Sequence, residues 1–140
     1  MFRKILIGVD GSEAAQHALE RALDLAELSG SEVHLLSFEE RLPAYAATVG
    51  EMQEEEHFES EYFRRLQDGA RRLAEARGVA LHAEIVPGHP AQTISRMARE
   101  KGCDPIVVGH TGHSRLHHLF LGSTADRVVE GAHCPVLVVR

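Results

Sequence analysis

The sequence predicts an α/β protein with an open, twisted, parallel five-stranded sheet, doubly wound, with helices on both faces. Two observations lead to this fold class. Short apolar runs alternate with segments of helical periodicity along the whole chain, which is the order of successive strand–helix units. Most of these runs carry no charge, as is typical of strands that are buried on both faces. With 140 residues, the chain is expected to form one domain over 1–140.

The first half of the chain supplies two strands and two helices. The first strand ends at the turn Asp10-Gly11-Ser12, whose polar side chains are typical helix caps. Alanine and leucine then recur at helical steps until Ser29-Gly30, where glycine ends the helix. The pattern is lost after the second strand, around Pro43. The predicted elements are a strand at 5–9, a helix at 15–28, a strand at 33–38, an irregular connection at 39–50 and a helix at 51–77.

The second half repeats this alternation. A turn at Pro87-Gly88-His89-Pro90 is predicted to place Pro90 at the first position of a helix, where its missing N–H costs nothing. That helix is expected to end at Lys101-Gly102. The predicted elements are a strand at 79–86, a helix at 91–100, a strand at 105–108, a helix from 123 to about 131 and a strand at 135–139.

A loop punctuated by glycine joins the fourth strand to the last helix. Gly109 and Gly112 open it, and Gly122 and Ser123 close it. Ser123 and Asp126 have capping-box spacing, so Ser123 is expected to cap the helix. Backbone N–H groups at such a turn are accessible because glycine has no Cβ, and the helix N-terminus adds free donors and a positive dipole end. The loop is therefore expected to bind an anion, most plausibly a phosphate.

Three signatures in register make the chain resemble a known family. They are the spacing G-x2-G-x9-G-S from Gly109 to Ser123, an opening strand that ends V-D-G-S (9–12), and a closing strand C-P-V-L-V-V (134–139). Together they resemble the nucleotide-binding branch of the universal stress protein family over the whole chain. Three glycines alone would equally fit turn positions in any α/β protein.

The resemblance implies a Rossmann-like sheet of strand order 3-2-1-4-5, with the ligand at the switch point between strands 1 and 4. The implied ligand is ATP, or ADP or AMP, with Mg²⁺ or Mn²⁺ as an accompanying ion. Asp10 would accept from ribose hydroxyls or hold a nucleotide-bound divalent ion, and the backbone near Val9 and Phe38 would form the adenine wall. The phosphate positions are Gly109, Thr111, Gly112, Gly122, Ser123 and Thr124.

Each of these residues also has an ordinary structural explanation. Asp10 is a preferred cap residue for the first helix. Val9 and Phe38 are what any core strand would show, and Thr124 fits a cap as well as a phosphate ligand. No serine has a histidine and a carboxylate at a spacing that would argue for an activated nucleophile, and the Walker lysine is missing.

Binding is thus better supported than catalysis. The resemblance implies an ATP-binding regulatory or protective module in stress response. A slow ATP hydrolase or nucleotidyl-transfer enzyme of the same fold family, and a protein-interaction subunit with a vestigial pocket, stay open as alternatives. The terminal run 135–139 would be an exposed apolar edge strand, and the resemblance implies that it pairs with its copy in a homodimer.

Composition narrows the class of partner. The net charge of −6 and the pI near 5.9 argue against a nucleic-acid or anionic-membrane surface. The opening apolar run is too short for a signal peptide, so a cytoplasmic location is expected. Cys103 and Cys134 each precede an apolar strand, so a disulfide is geometrically conceivable, but two buried or half-buried free thiols are expected in a reducing compartment. The glutamate run early in the long helix is expected to be a solvated face. Three- and four-residue steps in the same helix predict an apolar stripe of Phe58, Tyr62, Leu66, Ala70 and Leu73.

Histidines are concentrated in the glycine loop. A metal site there is disfavoured, because the four-residue step from His113 to His117 pairs side chains only on a helix. Solvated or packed imidazoles are the ordinary explanation. A third explanation is that the histidines become protonated near bound phosphates, so that nucleotide binding strengthens as the pH falls. The histidines concerned are His110, His113, His117 and His118.

Overall fold

The computed structural model describes residues 2–39, 49–110 and 122–140, and within these ranges it describes the side chains except at 39 and 49–60. The elements alternate as predicted. In chain order they are β1 (Lys4–Val9), α1 (Glu13–Ser29), β2 (Glu32–Glu39), α2 (Val49–Ala76), β3 (Leu81–Pro87), α3 (Pro90–Lys101), β4 (Ile106–Gly109), α4 (Ser123–Gly131) and β5 (Val136–Val139).

All five strands form one parallel sheet in the order β3-β2-β1-β4-β5. The predicted fold class and the strand order that the resemblance implied are both confirmed. β1 lies in the middle of the sheet, between β2 and β4. After β1 the chain adds β2 and β3 on one side of it, and then adds β4 and β5 on the other side.

Local capping explains where the elements begin and end. Ser12 accepts a hydrogen bond from the backbone N–H of Ala15 at 3.1 Å and starts α1, while Gly30 ends it in the left-handed region at φ 68°. Pro90 is the first residue of α3, as predicted. β3 begins two residues later than predicted because the N–H of Val79 still bonds to the carbonyl of Ala74 in the turn that closes α2.

The sheet separates two apolar cores. Alternate residues of each strand face opposite sides, so β1 sends Ile5, Ile7 and Val9 to one core and Leu6 to the other. The first core lies under α1 and α2, and the second lies under α3 and α4. We refer to them as the α1–α2 core and the α3–α4 core.

The two cysteines are free thiols, as expected; Cys103 is buried and Cys134 half-buried. Burial raises the pKa of the Cys103 thiol to about 11. Within the described residues, no helix is both long and apolar enough to cross a membrane.

Candidate functional site

The carboxyl ends of β1 and β4 lie side by side. The two strands pair in parallel through Leu6 with Ile106 and Ile7 with Val107, and they end at Val9 and Gly109. α1 leaves β1 on one face of the sheet, and α4 follows β4 on the other. The end of this strand pair is therefore the crevice at the switch point, where open α/β sheets bind ligands.

The turn after β1 is held by its own side chains. The N–H of Ser12 donates to Oδ1 of Asp10 at 2.9 Å, and Ser12 in turn caps α1. The structural role foreseen for Asp10 as helix cap thus belongs to Ser12, while Asp10 fixes the turn. This places the half-buried Asp10 carboxylate at the end of β1, beside the crevice.

Tyr62 of α2 covers this turn. Gly11 has φ 83°, and a Cβ on it would lie 2.8 Å from Cζ of Tyr62, whose hydroxyl would be closer still. The Tyr62 ring also meets Phe63 edge to face, with the centroids 5.6 Å apart. The helical periodicity had predicted Tyr62 as part of the apolar stripe of α2, and only the fold brings it to the candidate site.

The two ends of the glycine loop meet at its base. The N–H of Gly122 donates to the carbonyl of His110 at 2.8 Å, and the N–H of His110 donates to the carbonyl of Val139 at 2.6 Å. The first bond brings the start of α4 to the end of β4, and the second joins the end of β4 to β5. Thr111 and Gly112, together with His113, His117 and His118, lie outside the described residues.

Gly109 packs directly against the first turn of α1. A Cβ at this position would lie 2.8 Å from the carbonyl carbon of Ala14 and 3.0 Å from its oxygen. Backbone atoms cannot move aside as a side chain can, so the close approach of β4 to α1 by itself requires glycine here. A packing role therefore accounts for Gly109, and its predicted contact with phosphate stays a prediction.

The cap of α4 differs from the prediction. Gly122 is the N-cap, with φ −61° and ψ 153°, and Ser123 is the first helical residue; no side chain caps this end. The expected capping box at Ser123 and Asp126 is therefore wrong. Glycine and serine are both good N-caps, and sequence spacing does not say which one takes the position. Because Gly122 has no side-chain acceptor, it leaves the first N–H groups of α4 to other partners.

Val9 and Phe38 have core side chains on opposite faces of the sheet. Val9 is 7% exposed and belongs to the α1–α2 core, whereas Phe38 is 8% exposed and belongs to the α3–α4 core. Their side chains cannot form one wall. The adenine wall that the resemblance implied could involve only their backbone groups, and it stays a prediction.

An apolar depression opens beside the Asp10 turn, between α1 and α2. Two buried polar atoms close to its lining residues have no hydrogen-bond partner in the described part of the chain: Oγ of Ser37, two residues beyond Leu35 on β2, and Nε2 of Gln67, next to Leu66 on α2. The sequence analysis did not identify either residue. A sequence shows that a polar residue stands among apolar ones, but it does not show whether that residue has a hydrogen-bond partner. The depression is lined by Val9, Gly11, Ser12, Ala15, Gln16, Leu19, Leu35, Leu66 and Ala70.

Two solved structures of related fold are described as nucleotide complexes. One is a universal stress protein in complex with cAMP, with 23% identity and a TM-score of 0.74 over 99% of this chain and 97% of that chain. The other is the universal stress protein from Archaeoglobus fulgidus in complex with dAMP, with 20% identity and a TM-score of 0.68 over 99% and 98%. At these identities the likeness is one of fold.

Closer relatives match the chain from end to end. Universal stress protein MJ0531 of Methanocaldococcus jannaschii is 35% identical over 147 residues, covering 100% of this chain and 83% of its own length. MJ0577 of the same organism has a solved structure that is 30% identical, with a TM-score of 0.86 over 99% of this chain and 96% of that chain. The profile of the universal stress protein family matches residues 1–140. This chain belongs to the universal stress protein family.

Proposed function

We propose that this protein binds an adenine nucleotide, with ATP as the expected ligand, and that it acts as a regulatory or protective module in stress response. The observation that carries the proposal is the meeting of two turns at the switch point. The Asp10 turn and the base of the glycine loop, from Gly109 to Gly122, both open at the carboxyl ends of β1 and β4.

The loop side of the crevice suits phosphate. Gly122 caps α4 without a side chain, so donors of the first turn of the helix stay available to an anion, and the positive end of the helix dipole points the same way. Ser123 is exposed and can add a hydroxyl donor. Thr111, Gly112 and Thr124 complete the proposed phosphate positions.

The Asp10 side suits the nucleoside. The apolar depression between α1 and α2 opens beside the Asp10 turn, and Oγ of Ser37 and Nε2 of Gln67 have no hydrogen-bond partner among the described residues. Asp10 would accept from the ribose or hold Mg²⁺ or Mn²⁺, which usually combines one or two carboxylates with phosphate oxygens. The cAMP and dAMP complexes of the two distant relatives support an adenine nucleotide as the ligand class.

Calorimetric titration of the nucleotide-free protein with ATP, ADP and AMP tests the proposal. Gly122→Val should abolish ATP binding, because a β-branched side chain would fill the entry to α4. The fold should survive, since φ −61° suits any residue and the N–H bond to His110 is kept. Gly131→Ala is the matched control at the other end of α4, where a Cβ meets Ser95 Oγ at an ordinary 3.5 Å.

The possible results separate the alternatives. Unchanged ATP binding by Gly122→Val would place the phosphates elsewhere, and no binding of any of the three nucleotides up to millimolar concentration would favour an interaction protein with a vestigial pocket. Release of ADP or AMP from Mg–ATP, lost in Asp10→Ala, would reveal a slow hydrolase instead of a binding module.

We also propose a homodimer formed through the β5 edge, 135–139. β5 is the last strand of the sheet, and Leu137 on it is 42% exposed. An apolar edge strand with unpaired backbone groups favours pairing with its copy across a two-fold axis. Sedimentation at micromolar concentration should show a dimer that Leu137→Lys weakens. A monomeric wild type would overturn this proposal.

A further inference from the structure

A cluster of one glutamate and two histidines lies at the amino ends of β2 and β3. Nε2 of His34 is 2.9 Å from Oε1 of Glu32, and Nε2 of His82 is 3.7 Å from Oε2 of the same carboxylate. The two imidazoles stack with their centroids 4.9 Å apart. Ligand atoms from all three side chains lie within 4.8 Å of one another.

The strand register creates this cluster. Glu32 and His34 are two residues apart on β2, so their side chains point to the same face, and His82 of β3 pairs directly with His34. The sheet backbone therefore fixes three Cα positions around one point. The cluster lies at the amino ends of the strands, whereas the proposed nucleotide site lies at their carboxyl ends. Strands of six residues at about 3.3 Å per residue separate the two sites by roughly 20 Å.

We propose that Glu32, His34 and His82 form a binding site for a divalent transition-metal ion, with Zn²⁺ as the preferred ion. Two imidazole nitrogens and one carboxylate oxygen form a ligand set that zinc sites commonly use, and three protein ligands leave a fourth position for water. Imidazole ligands favour Zn²⁺ over Mg²⁺ and Ca²⁺, which select oxygen ligands. The ion would link β2 to the edge strand β3.

The distances are close to those of such a site. Ligands held about 2.0–2.1 Å from a tetrahedral zinc ion lie roughly 3.3 Å apart. Nε2 of His34 is 2.9 Å from Oε1 of Glu32 and Nε2 of His82 is 3.7 Å from Oε2, so the carboxylate must rotate to offer one oxygen to an ion held by both imidazoles. The His82 ring must tilt for its lone pair to point at the ion. Its side chain is 56% exposed, so it has room to rotate, whereas His34 is held in place at 12% exposure.

Neighbouring charges leave the cluster accessible to a cation. Lys101 of α3 is paired with Glu84 at 2.6 Å, and the ammonium group of Lys4, the β1 neighbour of Glu32, donates to the carbonyl of Lys101 at 3.3 Å. Both ammonium groups thus donate to acceptors outside the cluster, while the charge of Lys4 still acts on the Glu32 carboxylate and weakens its attraction for a metal ion. Among the residues that the structure describes, none forms a hydrogen bond with the buried Nδ1 of His34. Ligating histidines usually donate from this second nitrogen, so we expect an affinity about 10- to 100-fold below that of a fully supported site.

The test is a Zn²⁺ titration of the full-length, nucleotide-free protein by calorimetry, paired with Co²⁺ absorption spectroscopy. We expect one equivalent of Zn²⁺, bound about 10- to 100-fold more weakly than at a fully supported site, and a Co²⁺ spectrum of nitrogen and oxygen ligation. His82→Gln should weaken Zn²⁺ binding by about tenfold or more, and because His82 is exposed this variant should fold. Zn²⁺ should raise the thermal midpoint of the wild type but not of His82→Gln.

Two matched variants exclude other ligands. His17→Gln removes an exposed histidine of α1 and should bind Zn²⁺ like the wild type. A variant with glutamine at 110, 113, 117 and 118 removes the histidines of the glycine loop and should also bind normally. The proposal is overturned if the wild type binds no Zn²⁺, if binding is lost with the loop histidines and kept in His82→Gln, or if Co²⁺ shows thiolate charge-transfer bands from Cys103 or Cys134.

Discussion

Gly109 of β4 and Ala14 of α1 approach so closely that a Cβ on Gly109 would lie 2.8 Å from the carbonyl carbon of Ala14. This contact joins the strand that enters the glycine loop to the helix that begins after the Asp10 turn. The two halves of the candidate site are therefore held together by backbone packing, before any ligand contributes.

Gly109→Ala should lower the free energy of unfolding by about 1–3 kcal/mol, since the added methyl group overpacks against backbone that cannot yield. Urea denaturation measures this. Gly69→Ala is the control: Gly69 lies in α2 with nothing within 4 Å of a Cβ, so alanine there should raise stability by about 0.5–1 kcal/mol. Equal stability of Gly109→Ala and the wild type would mean that β4 and α1 can separate at little cost.

Gly11→Ala should destabilise the protein through two independent effects. A left-handed conformation costs an L-residue about 1–2 kcal/mol, and the methyl group also collides with Tyr62. In a Tyr62→Ala background only the first effect remains, so a double-mutant cycle of unfolding free energies should give a coupling of about 0.5–3 kcal/mol. If Gly11→Ala costs the same in both backgrounds, Tyr62 does not press on the turn in solution.

Gln67→Leu should stabilise the ligand-free protein by about 1 kcal/mol. Gln67 is 6% exposed and its Nε2 has no hydrogen-bond partner, so leucine removes an unsatisfied donor from the core. Gln92→Leu, on the exposed face of α3, should change stability by less than about 0.5 kcal/mol. A loss of stability in Gln67→Leu would show that the amide is satisfied in solution.

The same variant also reports on ligand binding. If Gln67 contacts the base of a bound nucleotide, Gln67→Leu should weaken ATP binding while it raises the unfolding midpoint. A purely structural defect would instead lower both.

Asp24 should make stability depend on pH in the acid range. Hydrogen bonds from Arg77 at 2.5 Å and from Arg21 at 2.6 Å lower the pKa of Asp24 below its ordinary 3.8. The folded state therefore holds this proton less tightly than the unfolded chain does. The stabilisation is complete above the unfolded pKa of about 3.8 and is lost as the pH falls through the lower folded value.

Urea midpoints of the wild type and Asp24→Asn should therefore differ at neutral pH and converge only as the pH falls from 3.8 through the lower folded pKa. Asp68→Asn is the control, because Asp68 pairs with Arg71 of its own helix, at 3.2 Å, and does not join α1 to the end of α2. It should change the midpoint less. A difference for Asp24→Asn that persists unchanged into acid would mean that the carboxylate charge contributes nothing.

The sequence was sufficient for the fold because fold depends on patterns that repeat along the chain. The apolar runs and the helix boundaries at Gly30 and Pro90 were all predicted, and the resemblance supplied the strand order. Features that need two distant segments in register were not predictable. His34 and His82 meet only because β2 pairs with β3 in one register, and the two-residue step from Glu32 to His34 was the only local sign.

Other errors came from choices between similar residues. Ser123 and Gly122 are both suitable caps, and the spacing to Asp126 favoured the wrong one. Tyr62 had the periodicity of a core residue, and its position over Gly11 depends on how α2 packs against the turn.

Because the sheet divides the interior into two cores, each half of the candidate site packs mainly against a different core. The Asp10 half rests on Ala15 and Val9 in the α1–α2 core, and the Gly122 half rests on Ala125 and Val128 in the α3–α4 core. A loosened layer would therefore affect mainly the half of the site that rests on it, although the contact of Gly109 with Ala14 joins the two halves. For the proposed nucleotide site, substitutions in the α3–α4 core should change mainly the affinity for phosphate and those in the α1–α2 core mainly the selectivity for the base, so that the two properties can evolve separately.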